Sequence, residues 1–277
     1  MKNRFTWKTV VQELLLLVTT IIMMIPVYYF CIGAFKERTE IIKHPLTLNV
    51  DMFTIKNFPY VIKKMDFFQG LQNTAIITVM AMLIIIIGAS LAGYAIARLK
   101  NKLTVVYYSL MVSLMVIPFI GCVIPLVVLS VDLKTYGSLW GCILIQAAWN
   151  LPFATFLYAG FMQDIPRELE EAAYLDGCST VGIYSRIFLP LLMPVTSTCC
   201  IRCGIGIWND YLVSNSLLNS NRTPTLMVGV QSFFGQRSTE YGYAFASILL
   251  SSIPMIIAFL CLQKHFIKGI AAGAVKG

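Results

Sequence analysis

The chain has 277 residues, of which 58% are hydrophobic and only 12% charged, with a formal net charge of +8. A soluble domain carries about a quarter charged residues, so this composition excludes an ordinary soluble protein and points to a bilayer. The positive charge implies no nucleic-acid partner, because it falls mostly in short basic clusters beside long apolar runs.

Apolar runs long enough to cross a hydrocarbon core of about 30 Å occupy about 10–32, 71–97, 105–130, 139–162, 187–212 and 244–263. The first follows Lys2, Arg4 and Lys8. It exceeds a secretory signal in length and ends at Phe35-Lys36 without a small-x-small cleavage pattern, so it is expected to be retained. The connector 33–70 mixes Lys36, Arg38, Lys43, Lys56, Lys63 and Lys64 with Glu37, Glu40, Asp51 and Asp66. Gly88, Ala89, Ala92, Gly93 and Ala97 give the second run a thin face suited to close helix packing. Arg98, Lys100 and Lys102 follow it. In the third run Pro118 and Pro125 predict a kink, and Pro152-Phe153 lies in the fourth.

The polar interval 164–190 is the longest on its side of the membrane. Pro166 suits the start of a helix, and Glu168, Glu170 and Glu171 lie near the positive end of its dipole. Helical spacing over 168–176 gathers Leu169, Ala172, Ala173 and Leu175 on one half and leaves Glu170, Glu171 and Tyr174 on the other. Gly177 is expected to end the helix at positive φ, with Ser179 or Thr180 capping a second helix toward Pro190. In the fifth run Arg202 is costly in lipid and is expected at a pore or subunit interface. Trp208, Asn209 and Asp210 close that run, as an interfacial anchor or a pathway contact. Cys199, Cys200 and Cys203 sit on the same apolar helix with no fourth ligand nearby, which argues against a metal site.

Six spans place both ends on one side. The basic clusters at the amino end, at 98–102 and at Lys264, Lys268 and Lys276 predict that side to be the cytoplasm. No Gly-x-x-x-x-Gly-Lys-Ser/Thr loop is present, and His44 and His265 lie at polar edges of spans without a catalytic partner. The chain is therefore read as a non-catalytic subunit.

The order Glu171-Ala172-Ala173, Gly177, Ile187-Phe188-Leu189-Pro190 resembles the EAA loop of the membrane subunits of bacterial ATP-binding-cassette (ABC) importers. Further motifs extend the likeness over nearly the whole chain: Asn73-Thr74, residues 92–98, Pro118 with Pro125, Pro152-Phe153, residues 165–169, Trp208-Asn209-Asp210 and the tail 269–277. Together they look like the carbohydrate-importer branch, and within it the shorter, maltose-type permease. The resemblance implies an all-α integral membrane protein of the type I ABC importer permease fold, with six transmembrane helices and a cytoplasmic coupling helix in one permease domain, 1–277. It implies that Glu171, Ala172, Ala173, Gly177, Ile187, Leu189 and Pro190 couple to an ATPase, and that Arg202, Trp208, Asn209 and Asp210 lie on the pathway or an interface. The implied partners are a second permease chain, two ABC ATPase subunits that hold ATP and Mg, and an extracellular solute-binding protein meeting loops 33–70 and 212–242. This chain is expected to bind no cofactor itself, its tail is expected to reach toward the ATPase dimer, and the solute is expected to be an oligosaccharide or other sugar. The alternatives are a non-sugar solute such as a glycerol phosphate, or a secondary transporter, which should show an internal repeat and intramembrane carboxylates.

Overall fold

A computed structural model describes residues 7–218, 223–235 and 240–274. Lys2, Arg4, Lys276 and the end of the tail lie outside the described residues. Helix accounts for the regular structure that is described, apart from an antiparallel bridge between Lys36 and Phe53. The chain divides into two compact units, residues 1–67 with 229–252 and residues 68–228 with 253–277.

The first unit holds α1 (Trp7–Gly33), α2 (Arg38–Lys43), a 3-10 turn (Val50–Met52) and α3 (Asn57–Lys64). Leu14 to Leu17 and Ile21 to Ile25 of α1 are exposed, a surface that hydrocarbon rather than water can cover. Beyond α1 the connector is built around a basic residue that the sequence offered only as one of several. Lys36 is fully buried, and its Nζ donates to the carbonyls of His44 at 2.8 Å and Thr47 at 2.6 Å. Asn57 Nδ2 donates to the carbonyls of Ala34 and Lys36, both at 2.9 Å, so two buried polar side chains satisfy four backbone acceptors.

The second unit begins with α4 (Phe67–Leu99), which the next span continues as α5 (Lys102–Leu114) and α6 (Phe119–Asp132). Asn101 and Thr104 form a reciprocal capping box at the start of α5. Then come α7 (Leu139–Gln163), capped by Ser138, and α8 (Glu168–Leu175). The remainder is α9 (Thr180–Leu191), α10 (Met193–Trp208), α11 (Leu212–Leu217), α12 (Leu226–Gln231) and α13 (Tyr241–Ala274), the last two continuing into or out of the first unit. Among the described residues four helices are long and apolar enough to cross a membrane, or six if each of two bent pairs is one span.

Those bends correct the third and fifth runs as continuous spans. The third is broken, with α5 and α6 at 109° to one another. Pro118 caps α6 in an extended conformation, and the residue before a proline is pushed out of the helical region, so the chain turns there rather than kinking slightly. The fifth run, read as 187–212, begins as helix at Thr180, bends by 67° at Leu192 and stops at Trp208. Pro190 and Pro194 lack the N–H groups that Arg186 and Pro190 carbonyls would receive, which opens the ladder on both sides of the bend.

The small-residue face of α4 does pack closely. A Cβ added at Gly93 would lie 2.9 Å from Tyr158 Cβ and 3.0 Å from the Ala159 nitrogen, so the two helix backbones approach because Gly93 presents no side chain there. Ala89 and Ala97 are buried beside it, and with Tyr158 they belong to one core that includes Ile183, Phe188 and Cys203.

Candidate functional site

Helix α8 is short, acidic in its first turn and closed by a Schellman motif. The Gly177 N–H donates to the Tyr174 carbonyl and the Cys178 N–H to the Ala173 carbonyl, each at 3.0 Å, while Gly177 takes φ +80°. Ser179 Oγ then accepts from the Gly182 N–H at the start of α9, and the Tyr174 and Thr180 hydroxyls lie 3.0 Å apart across the turn. Nothing lies within 4 Å of a Cβ built at Gly177, so the backbone conformation and not space calls for glycine. Gly177→Val is accordingly expected to cost about 1–2 kcal/mol locally and to lower import several-fold with the chain still inserted, measured as membrane abundance beside transport rate. Import at the wild-type rate would count against the turn.

The side of α8 turned toward its own chain is not the one helical spacing suggested. Glu170 and Ala173 face inward, whereas Leu175 is 89% exposed, and Leu169 and Ala172 are exposed as well. Glu170 is drawn in by its partners. Its Oε1 accepts from the Tyr94 hydroxyl at 2.6 Å, and its Oε2 lies 2.9 Å from Arg98 Nε. The same guanidinium donates through Nη2 to the Ile165 carbonyl at 3.0 Å and through Nη1 to Met162 at 3.4 Å, and it lies 5.1 Å above the Phe188 ring. The Arg98 carbonyl in turn accepts from Arg167 Nη2 at 3.3 Å.

Sequence reasoning missed this cluster, although a signal for it was there. Ser90, Tyr94 and Arg98 recur every fourth residue along the last turns of α4 and so share one face. Ser90 Oγ and the Tyr184 hydroxyl are 2.6 Å apart, and Tyr94 packs edge-on against Phe188 at 5.1 Å. Tyr184–Phe188 is a π-helical turn within α9, so one polar stripe of α4 clasps the helix before and the helix after Gly177.

The residues expected to couple to an ATPase thus spread along a helix, a turn and a second helix. Ala173 is buried, Ile187 half-buried, and Glu171, Ala172, Gly177, Leu189 and Pro190 are exposed. The arrangement has the chemistry of a docking element: an exposed strip of Leu169, Ala172 and Leu175 edged by Glu168 and Glu171, on a helix fixed to its own chain from behind.

The four residues expected on a pathway or interface separate. Arg202 is exposed, its guanidinium lies 5.5 Å from the Phe153 ring, and it borders a cavity of 340 Å³. Trp208 is buried and Asn209 caps the end of α10. Asp210 accepts from the N–H groups of Val213 and Ser214, at 3.2 and 2.9 Å, and from the Ser214 hydroxyl at 3.1 Å. That carboxylate holds the first turn of α11, and none of these three lines the cavity beside Arg202.

A family model described as the inner membrane component of binding-protein-dependent transport systems matches residues 84–272. The chain is similar to the melibiose/raffinose/stachyose import permease protein MelC of Bacillus subtilis (strain 168), 40% identical over 74% of this chain and 75% of that one. It is similar to the probable starch degradation products transport system permease protein AmyC of Thermoanaerobacterium thermosulfurigenes, 32% identical over 97% of this chain and 99% of that one. Among solved structures, a chain from the crystal structure of a bacterial ABC transporter involved in the import of the acidic polysaccharide alginate superposes with a TM-score of 0.74. At 20% identity it covers 93% of this chain and 96% of that one, and the likeness gives the fold.

Proposed function

Because the chain belongs to the family of inner-membrane components of binding-protein-dependent transport systems and has the type I ABC importer permease fold, we propose that it is one of two permease chains in an oligosaccharide importer. ATP is hydrolysed with Mg on two separate ABC ATPase subunits, and an extracellular solute-binding protein delivers the sugar. The names of the relatives, which specify melibiose, raffinose, stachyose and starch degradation products, support a short oligosaccharide as solute. All 277 residues act as a single permease domain in the bacterial cell membrane, with both termini in the cytoplasm, where the basic clusters argue for them.

The observation that carries the coupling role is the two-sided character of α8, bound inward through Glu170 and open outward through Leu169, Ala172 and Leu175. A helix held in that way can transmit displacement in both directions. When the ATPase dimer closes on ATP, α8 moves with it, and the clasp on α4 and α9 passes the motion to the spans that follow Pro190. The cavity side then opens outward, and hydrolysis reverses the movement. The binding protein promotes the cycle by binding the outward state more tightly, since equal affinity for both states would shift nothing. In this reading Glu171, Ala172, Ala173, Gly177, Ile187, Leu189 and Pro190 form the coupling loop within 164–190.

Two experiments test this. The purified complex with its binding protein, in proteoliposomes, should import a labelled member of a panel containing raffinose, stachyose and maltotetraose when ATP is supplied; import of none of them overturns the oligosaccharide assignment. Glu171→Lys reverses an exposed charge with little effect on folding, and is expected to lower ATPase retention in detergent pulldowns several-fold. Undiminished retention would deny that carboxylate a docking role.

A further inference from the structure

Three interruptions of helical backbone meet at the cavity that Arg202 borders. Met115 and Ile117, from the break between α5 and α6, line it. Pro152 lies inside α7 and cannot give an N–H to the Ala148 carbonyl one turn earlier, and Ala148 and Pro152 both line it. Arg202 comes from the π-helical turn Cys200–Gly204 of α10. Backbone that departs from regular helix at membrane depth persists where it is buried in protein or faces a watery cavity, and discontinuous helices recur at transporter substrate sites. A cavity of 340 Å³ is also within the range of about 300–1,000 Å³ found for small-molecule sites.

The groups at the cavity suit a neutral sugar. Arg202 carries up to five N–H donors, and neither of the two ion pairs among the described residues involves it. Asn150 gives one amide hydrogen to the Gln146 carbonyl at 2.8 Å, which leaves its Oδ1 as an acceptor. Trp149 is held edge-on by Phe119 at 4.5 Å. The rest of the wall is mainly apolar. A pyranose ring presents hydroxyls at its rim and C–H groups on its faces, and so matches donors and acceptors set among aromatic and aliphatic surfaces. An anion would gain from Arg202, but no second cation lines the cavity to hold it.

We propose that this cavity is a sugar subsite, through which the chain itself contacts a neutral oligosaccharide in transit, with Arg202 and Asn150 binding hydroxyls and Trp149 offering a stacking surface. The proposal rests on the oligosaccharide-importer reading above, and the test separates the two. Wild-type complex in proteoliposomes first identifies which of raffinose, stachyose and maltotetraose is imported; import of none would overturn the oligosaccharide assignment and the subsite with it. For an imported sugar, Arg202→Gln and Asn150→Ala are expected to lower import per ATP hydrolysed by about tenfold, the scale of one unmade buried hydrogen bond. The ATPase rate stimulated by the binding protein should stay within about twofold of wild type on the same scale, because neither residue touches the clasp on α8. Ala148→Trp narrows the cavity and should slow tetrasaccharides more than the trisaccharide. Unchanged import per ATP in the two polar variants, equal slowing of all sugars by Ala148→Trp, or loss of the second permease from the Arg202→Gln complex would each overturn the subsite, the last by making Arg202 an interface residue.

Discussion

Arg98→Ala in the assembled transporter lowers sugar import by at least about tenfold while the ATPase subunits still purify with the permease. The guanidinium is nearly buried at the root of α8, where it meets one carboxylate, two carbonyls and the Phe188 ring. Removing one member of such a pair leaves the other charged and unpaired, at a cost of about 3–5 kcal/mol. Glu170 then swings toward solvent, and α8 loses the ion pair that ties it to α4. Its outward strip is untouched, so docking persists while transmission fails. This pattern is the reverse of that expected for Glu171→Lys, which weakens docking and leaves the tether. The double variant Arg98→Ala/Glu170→Ala should lose less than the sum of its parts, since it strands no charge. Import rate, ATPase retention and ATPase stimulation by the binding protein, measured on the four members of that cycle, check the claim. Wild-type import in Arg98→Ala would remove the tether from the mechanism.

Much of this was legible in the sequence where the cause is local. Length and hydropathy mark the spans because a bilayer imposes one minimum length on every crossing helix, and a glycine after an acidic helix marks the turn because only glycine adopts positive φ at no steric cost. The bend in the third run was legible in place but not in size, and the one at Leu192 in the fifth was not read at all. Pro118 announces an interruption, whereas the 109° between α5 and α6 depends on what packs on either side. The choice between neighbouring glutamates was out of reach. Glu170 and Glu171 differ by about 100° around the helix axis, and which of them turns inward is set by Arg98, some seventy residues earlier in the chain. Helical spacing grouped Leu175 with Ala173 for the same reason: it sorts residues by polarity, while an ion pair can draw the acidic edge of a helix inward. Asp210 was ambiguous because a cap is visible only once the helix it starts, α11, is known.

Gly93→Val is expected to be the most damaging single substitution on the scaffold behind the clasp. At Gly88, one turn earlier on the same helix, an added methyl would meet only the end of a movable side chain, Leu151 Cδ1 at 3.2 Å. At Gly93 it would meet the Cβ of Tyr158 and main-chain atoms of Tyr158 and Ala159 at 2.9–3.0 Å, and main chain cannot rotate aside. Overpacking of this kind costs about 1–3 kcal/mol for a small increment, and valine adds two more methyl groups with a restricted χ1. The contact also lies one residue before Tyr94 and five before Arg98, so parting α4 from α7 would displace both partners of Glu170 together. Gly93→Val should therefore lower the melting temperature of the purified complex and abolish most import, with Gly93→Ala intermediate and Gly88→Ala near wild type. A Gly93→Val complex that melts and transports like wild type would mean that the two backbones do not approach as described.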